Sequence, residues 1–531
     1  MKYPFITLSC ILLALNGCYQ AKETNILSYG AVADGMTNNA VSIQQNIDEV
    51  ASSGGGRVIV PPGNFVTGTI FLKTGVELHL EAGACLLGSV NRSDYVQAKR
   101  PALIMATNVK NISITGKGVI DGRGQELMLD IFQKIRSGEL VQNDTLWLVK
   151  RPSNGRVKLI EFESCNGIVV ADVTLKNATN WVQNYTECEN ILITRINVQS
   201  TAYWNNDGLD ITDCRNVRIT KCFINASDDA ICLKSENSTS WCQNILIDSC
   251  TVRSSANGFK LGTASHGGFK DITVRNLEVF DTYRSAIAIE MVDGGTLENI
   301  DVSHVTARNT GNAIFIRRGR RNTDGDVGVL RNVHISNVKA EIPLYKPDQG
   351  YPIEGPPDHL KPGEDKMPVR PSHFHIFGHP FLPYNLVPSS ITGLPGNPVQ
   401  DVFLENIEIT YAGRADKSIA CIPLNRITSV PENEANYPEF SMFGELPSWA
   451  FYVRHAEGLK MKHVTFTFKQ HDFRPAMVFD DVTNFELLGV TIPSTIETPV
   501  IVLNNTSGES ISQLRLPFDD DKSILRTNYK N

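Results

Sequence analysis

The run "NILITRINVQS" at residues 190–200 comes back as "NVRITKCFINA" at 216–226 and as "NILIDSCTVRS" at 244–254. Each copy opens on an Asn, continues with Ile or Val, and then places apolar residues at every second position. The Asn slot recurs at Asn190, Asn216, Asn244, Asn299 and Asn332, with Asp271 filling the place between Asn244 and Asn299. Successive steps of 26, 28, 27, 28 and 33 residues are too long for leucine-rich repeats and too short for independent domains. Period-two alternation with frequent β-branched residues, as in Ile191-Leu192-Ile193 and Val217-Arg218-Ile219, predicts short strands. No helical pattern of ten or more residues separates them, which argues against strand–helix–strand units. A coil of such strands buries its apolar face only against the next coil. The expected fold is therefore all-β, a right-handed parallel β-helix solenoid. Its Asn residues are expected to form a buried, hydrogen-bonded ladder that is structural and not catalytic.

Working outward, Asn25 to Ser89 holds "NILSYGAVADG", a helical stretch near Ala40–Ala51 and "GGGRVIVPPGNF". An amphipathic helix there would cap the open end of the solenoid, where strand edges are otherwise unpaired. Residues 341–400 interrupt the repeat with many prolines and "HFHIFGH", in which His373, His375 and His379 are spaced either as a metal site or as part of a covering flap. Strand phrases resume at Val402, Leu459 and Phe485 and run to about Ile511. The expected organisation is a leader at 1–18, a cap with the first coils at 19–89, the β-helix at 90–515 with its 341–400 insertion, and a tail at 516–531.

The chain of 531 residues has 41% hydrophobic residues and a formal charge of −7, with its Lys and Arg dispersed, so nucleic acid is not an expected partner. Lys2, the short apolar run Phe5 to Leu15 and the ending Leu15-Asn16-Gly17-Cys18 read as an export signal. That ending resembles a bacterial lipobox; the resemblance implies lipidation at Cys18 and an extracytoplasmic lipoprotein, in the outer membrane or periplasm of a Gram-negative bacterium. The competing reading is an ordinary signal peptide that ends near a Cys. Membrane association is expected through the lipid anchor only, and the protein is expected to be monomeric. Setting aside Cys10 and Cys18 leaves nine of the 11 Cys, an odd number, and no CxxC pair occurs. Cys165, Cys188, Cys214 and Cys242 keep the repeat's beat, as do Cys222 and Cys250, which favours stacked, buried thiols over a metal site. No cofactor or metal is expected.

Five segments can be laid over one another: "DGLDITD" from Asp207, "DAICLKS" from Asp229, "NGFKLGT" from Asn257, "SAIAIEM" from Ser285 and "NAIFIRR" from Asn312. Their third and fifth residues are apolar, which fixes the register and leaves the first, fourth and sixth columns to face solvent. Coils about 4.8 Å apart would make Asp207 and Asp229 neighbours, with Asp210 and Asp228 beside them. Four acids crowded on one exposed face repel one another, so a function is expected, either a calcium site or acid–base chemistry. Glycoside hydrolysis needs one carboxyl as proton donor and another as base, and mutual repulsion keeps one member protonated.

The motifs "NNDGLD" at 205–210 and "SDDAICLKS" at 227–235 resemble those of glycoside hydrolase family 28, the polygalacturonase-like β-helix enzymes, and "YGAVADG" is similar to the cap of pectin-active β-helices. The resemblance implies an inverting, aspartate-based hydrolase of pectic or related plant polysaccharide. It makes Asp228 the general acid, with Asp207 and Asp229 holding and deprotonating the attacking water. The chain departs from the family where Gly-His-Gly becomes Ala256-Asn257-Gly258 and Arg-Ile-Lys becomes Ala288-Ile289-Glu290. Losing two cations and gaining an anion disfavours a uronate there and points to a neutral sugar. Asn205, Asp210, Lys234, Asn257, Lys260, Glu290 and Arg317 are the expected substrate-binding residues. Lys234, Lys260, Arg284, Arg317 and Arg318 either replace the missing cations or are solvated surface charges. Trp181, Tyr203, Trp204 and Tyr283 either stack on sugar rings or pack in the core and turns. Competing functions are a polysaccharide lyase and a non-catalytic glycan-binding solenoid.

Overall fold

The structure, a computed structural model, describes residues 22–139, 156–201, 203, 205–322, 325–348, 385–413, 415, 417, 422–493 and 499–529. The signal segment with Cys18, the His373/His375/His379 segment and Trp204 lie outside the described residues. The strands form one right-handed parallel β-helix. Each coil carries three short strands, and each strand pairs in parallel with its counterpart one coil on. Tyr185 opposes Ile211, Ile191 opposes Val217, and Val198 opposes Ile224. The repeat read from the sequence is this coil.

Inside, like stacks on like. Ile168, Ile191, Val217, Ile245, Ile272, Ile300, Val333 and Val402 form one continuous buried column in strict register. Burying each such side chain is worth about 1.5–3 kcal/mol relative to leaving it exposed, and only stacking achieves it. The Asn slot does form a ladder: Asn216 Nδ2 donates to Asn190 Oδ1 at 3.2 Å and Asn244 Nδ2 to Asn216 Oδ1 at 2.7 Å. The expectation of burial is corrected, because these side chains are exposed. What selects Asn is the backbone, with φ of 57° at Asn190, 57° at Asn216, 55° at Asn244 and 60° at Asn299, the left-handed region that Asn tolerates best after Gly. Asp271 adopts the same turn at φ 55° and accepts from Asn299.

The expected cap is helix α1 (Ala40–Ser52), which presses Ile43, Ile47 and Val50 onto the first coil. Its Gln44 imitates a missing strand: the side chain accepts from Phe71 N at 2.7 Å and donates to Phe71 O at 3.1 Å. A second helix, α2 (Gly124–Ser137), was not expected; it buries Leu127, Met128 and Ile131. At the far end, within the stretch read as a tail, Ile524–Thr527 pairs with Ile501–Asn504 as a further rung. Within 341–400, Ser389–Thr392 is likewise a rung, held between Phe315-Ile316-Arg317 and Phe451–Glu457.

The thiols stack as expected. Cys165, Cys188, Cys214 and Cys242 are free and buried. The Cys188 thiol donates to Phe162 O at 3.5 Å and that of Cys214 to Tyr185 O at 3.3 Å, while the Cys165 and Cys188 amides each donate to the next sulfur at 3.3 Å.

Candidate active site

One sheet of the helix carries the aligned segments in the expected register. Leu209 opposes Ile231, Ile231 opposes Phe259, Phe259 opposes Ile287, and Ile287 opposes Ile314. Two positions before each of these sits Asp207, Asp229, Asn257, Ser285 or Asn312. Each is followed by Gly or Ala, and at Gly208 the reason is steric: a Cβ there would lie 2.3 Å from Ile224 Cγ2 and 2.7 Å from Ala230 O. The small residue lets the chain turn close to the next coil and aims its predecessor into the cleft.

The four aspartates converge, but not on an exposed face, which corrects the sequence reading. Asp207, Asp210 and Asp229 are buried and Asp228 is half-buried. Burial is tolerated because cations enter the cluster. Lys234 Nζ lies 3.2 Å from Asp207 Oδ2 and also pairs with Asp210. Lys260 Nζ lies 3.1 Å from Asp229 Oδ2 and 3.7 Å from Glu290 Oε2. Neither lysine is a solvated surface charge; burial alone would lower their pKa values, yet the facing carboxylates hold them well above the ordinary lysine range.

The acids separate into two states. Burial, reinforced by the charge of Asp210, pushes Asp207 well above the usual carboxylate range against the pull of Lys234. Burial also lifts Asp210 to about 6. At Asp229 burial works in the same direction but loses to Lys260, Lys234 and Arg284 and to a hydrogen bond from Asn257, leaving it at about 2. Glu290 is raised by burial to about 7 despite Lys260. Near neutral pH the site thus holds an ionised carboxylate, Asp229, beside a protonated one, Asp207.

The remaining expected site residues act chiefly on these acids. Asn205 Nδ2 donates to Asp228 Oδ2 at 3.1 Å, and its Oδ1 accepts from Arg156 at 3.2 Å. Asn257 donates to Asp229 Oδ1 through both Nδ2, at 2.8 Å, and its backbone N, at 3.1 Å. Glu290 Oε2 accepts from Thr263 Oγ1 at 3.1 Å. Cys232, between Asp210 and Lys260 on the cleft floor, brings its sulfur within 4.8 Å of oxygens of Asp207 and Asp229. This donor set fits a cation poorly, since Lys234 and Lys260 already lie against both carboxylates. Trp181 is half-buried against Lys158, 4.4 Å from its ring centroid, and Lys234, at 4.2 Å. Tyr203 and Tyr283 are buried and are not sugar platforms.

Beyond Lys260 the cleft stops. The outward-facing residues that continue its column are Ala288, Phe315, Ser390, Tyr452, Val478 and Val502. Apart from Ser390, they are sealed under Ile427, Val430, Phe440, Phe443 and Leu446 from the segment between Val399–Tyr411 and Phe451–Glu457. The same segment reaches back into the site: Tyr437 Oη lies 3.0 Å from Lys260 Nζ, and Glu439 Oε2 3.3 Å from Arg284 Nη2. Arg317 is therefore corrected from substrate contact to anchor, because it is buried and donates to Gly393 O and Glu432 O. Arg318 is buried too, donating to Gly328 O and Pro398 O. Sequence reasoning missed Tyr437 and Glu439, which follow no repeat and lie more than 145 residues from the groups they meet.

Residues 52–342, more than half of the chain, match the family described as glycosyl hydrolases family 28. The chain belongs to glycosyl hydrolase family 28. Among family relatives, an exo-poly-alpha-D-galacturonosidase of Dickeya chrysanthemi is 30% identical over 251 residues, 40% of this chain and 41% of its own length. A probable polygalacturonase of Vitis vinifera is 26% identical over 339 residues, 60% of this chain and 61% of its own. The chain thus spans less than two thirds of the length of these relatives. The hyperthermoactive exopolygalacturonase of Thermotoga maritima superposes with a TM-score of 0.55 at 23% identity, covering 73% of this chain and 87% of that one. The Yersinia enterocolitica family 28 exopolygalacturonase gives 0.53 at 18%, covering 94% and 79%. At these identities the two structures establish the shared fold.

Proposed function

We propose that this family 28 protein is an exo-acting glycosidase that hydrolyses a bond near the end of a pectic or related plant polysaccharide, inverting the anomeric centre. The observation that carries this reading is the meeting of Asp207, Asp228 and Asp229 at the closed end of a cleft, with Asp229 held ionised and Asp207 held protonated. Asp228, the least buried of the cluster and positioned by Asn205, gives its proton to the leaving oxygen. Asp229 takes a proton from the attacking water as its oxygen bonds the anomeric carbon, and Asp207 holds that water by hydrogen bonding. The electrons of the broken C–O bond stay on the leaving oxygen, and solvent re-protonates Asp228.

At about 4.8 Å per coil, Ala288 stands two coils past Cys232, so the sealed end leaves room for only a short stretch of chain. A polymer therefore enters by its end, in keeping with the name of the Dickeya chrysanthemi relative, an exo-poly-alpha-D-galacturonosidase. The substrate is a polysaccharide met outside the cytoplasm, and the lipobox-like ending at Cys18 supports a lipid anchor. Among the described residues no helix is long and apolar enough to cross a membrane.

The test is product analysis on polygalacturonate, its methyl-esterified form and a panel of other pectic oligosaccharides. New reducing ends of inverted configuration, without ultraviolet absorbance and with short products from the first turnovers, are expected. Absorbing unsaturated products would establish a lyase, and binding without turnover a glycan-binding protein.

A further inference from the structure

We infer that the sugar seated between the acids and the Tyr437–Glu439 wall is uncharged, so that the protein releases a neutral residue and not a uronate from its chain end; this rests on the hydrolase reading above.

The cations around this seat are already committed. Lys260 faces Asp229 and Glu290, Lys234 faces Asp207 and Asp210, and Arg284 faces Glu439. Lys158 and Arg321 also act on Asp210 and Glu290 but are paired with Glu161 and Asp293, and Arg156 donates to Asn205; with Asp228 added, six cations stand among eight carboxyl groups. A uronate carboxylate entering here would have to displace Asp229 or Glu290 from Lys260 inside a buried site, leaving one carboxylate without its partner. Displacing Asp229 would also release the charge that keeps the base ionised.

The unused hydrogen-bonding capacity points the same way. Oδ1 of Asp207, Oδ2 of Asp210 and Oε1 of Glu290 are buried and have no hydrogen-bond partner among the described residues. Buried carboxyl oxygens left in this state are costly, and a ligand that donates relieves them. Sugar hydroxyls donate as well as accept and so meet these oxygens whether or not they carry protons, whereas the C6 carboxylate of a uronate offers acceptors only. Glu290 occupies the sixth column one coil before Arg317, so the seat carries a carboxyl group where a uronate would call for a cation.

The inference is tested by calorimetric titration of the full chain carrying Asp228→Asn, which blocks turnover, with an oligogalacturonide and with the same oligosaccharide after reduction of its carboxylates to primary alcohols. The reduced probe is expected to bind about tenfold more tightly. Because Asn carries no charge, Asp228→Asn adds no repulsion that could itself produce the expected preference. Glu290→Gln in the same background, which frees Lys260 from one of its partners, is expected to raise affinity for the charged probe and narrow the ratio. Equal or tighter binding of the charged probe by the Asp228→Asn protein overturns the inference. Turnover of both probes by the wild-type chain is followed in parallel. Selective binding of the reduced probe without any hydrolysis would sink the hydrolase reading and leave the neutral seat standing.

Discussion

The same outward column of one sheet has two characters along its length. From Asn184 through Asp210, Cys232 and Lys260 it is polar and carries the acid cluster; from Ala288 through Phe315, Tyr452, Val478 and Val502 it is mainly apolar and roofed by a folded-back segment. The pairing register nevertheless passes unbroken from Lys260 to Ala288 to Phe315. Function in this solenoid is therefore set by what a column carries and by what covers it, while the coil itself is indifferent.

The sharpest way to break the contrast is to disarm the polar half. Asp228→Asn and Asp229→Asn are each expected to lower kcat by about a thousandfold or more on any hydrolysed substrate, while circular dichroism keeps its β-helix signature. Next comes the roof. Phe440 is buried against the apolar half, and Phe440→Ala should cost about 3–5 kcal/mol in chemical denaturation. If the roof then lifts, internal fragments should join the short products; an unchanged product pattern would show that closure does not depend on it.

A smaller effect concerns the boundary between the halves. Glu290 is protonated in the fold up to about pH 7, whereas in the unfolded chain it ionises in the ordinary carboxylate range. Unfolding therefore releases a proton between those values, and stability falls as pH rises through that window. Asp210, lifted to about 6, adds the same sign over the lower part of it. The wild-type melting temperature should decline from about pH 4.5 to 7, and Glu290→Gln should flatten the slope. The smallest effect tests a position outside both halves. Asn244→Ala, at φ 55° and with its ladder bond to Asn216 lost, should cost about 1–2 kcal/mol and leave product identity unchanged.

The coil was legible because it repeats. The slot from Asn190 to Asn332 and the apolar third and fifth columns give every strand the same address, so the register and the meeting of Asp207 with Asp229 follow from spacing. Burial was not legible. A column that faces outward from one sheet can still lie beneath another segment, and nothing in residues 205–235 announces that Tyr437 and Glu439 return to cover their neighbours. For the same reason Arg317 read as a ligand for substrate and proved to be a clamp on Gly393 and Glu432. Lys234 and Lys260 were candidates for the missing cations, and their pairing with three aspartates and Glu290 shows those charges consumed within the protein. The Asn ladder is structural and hydrogen-bonded as its spacing implies, but side-chain pattern reveals neither its exposure nor its positive φ.

The sulfur ladder bears on how such a chain comes to be made. Cys165, Cys188, Cys214 and Cys242 join coil to coil through S–H and N–H hydrogen bonds where a small exported domain would carry covalent crosslinks. Those links form and dissolve without an oxidant, so a misplaced rung can be undone without thiol–disulfide exchange.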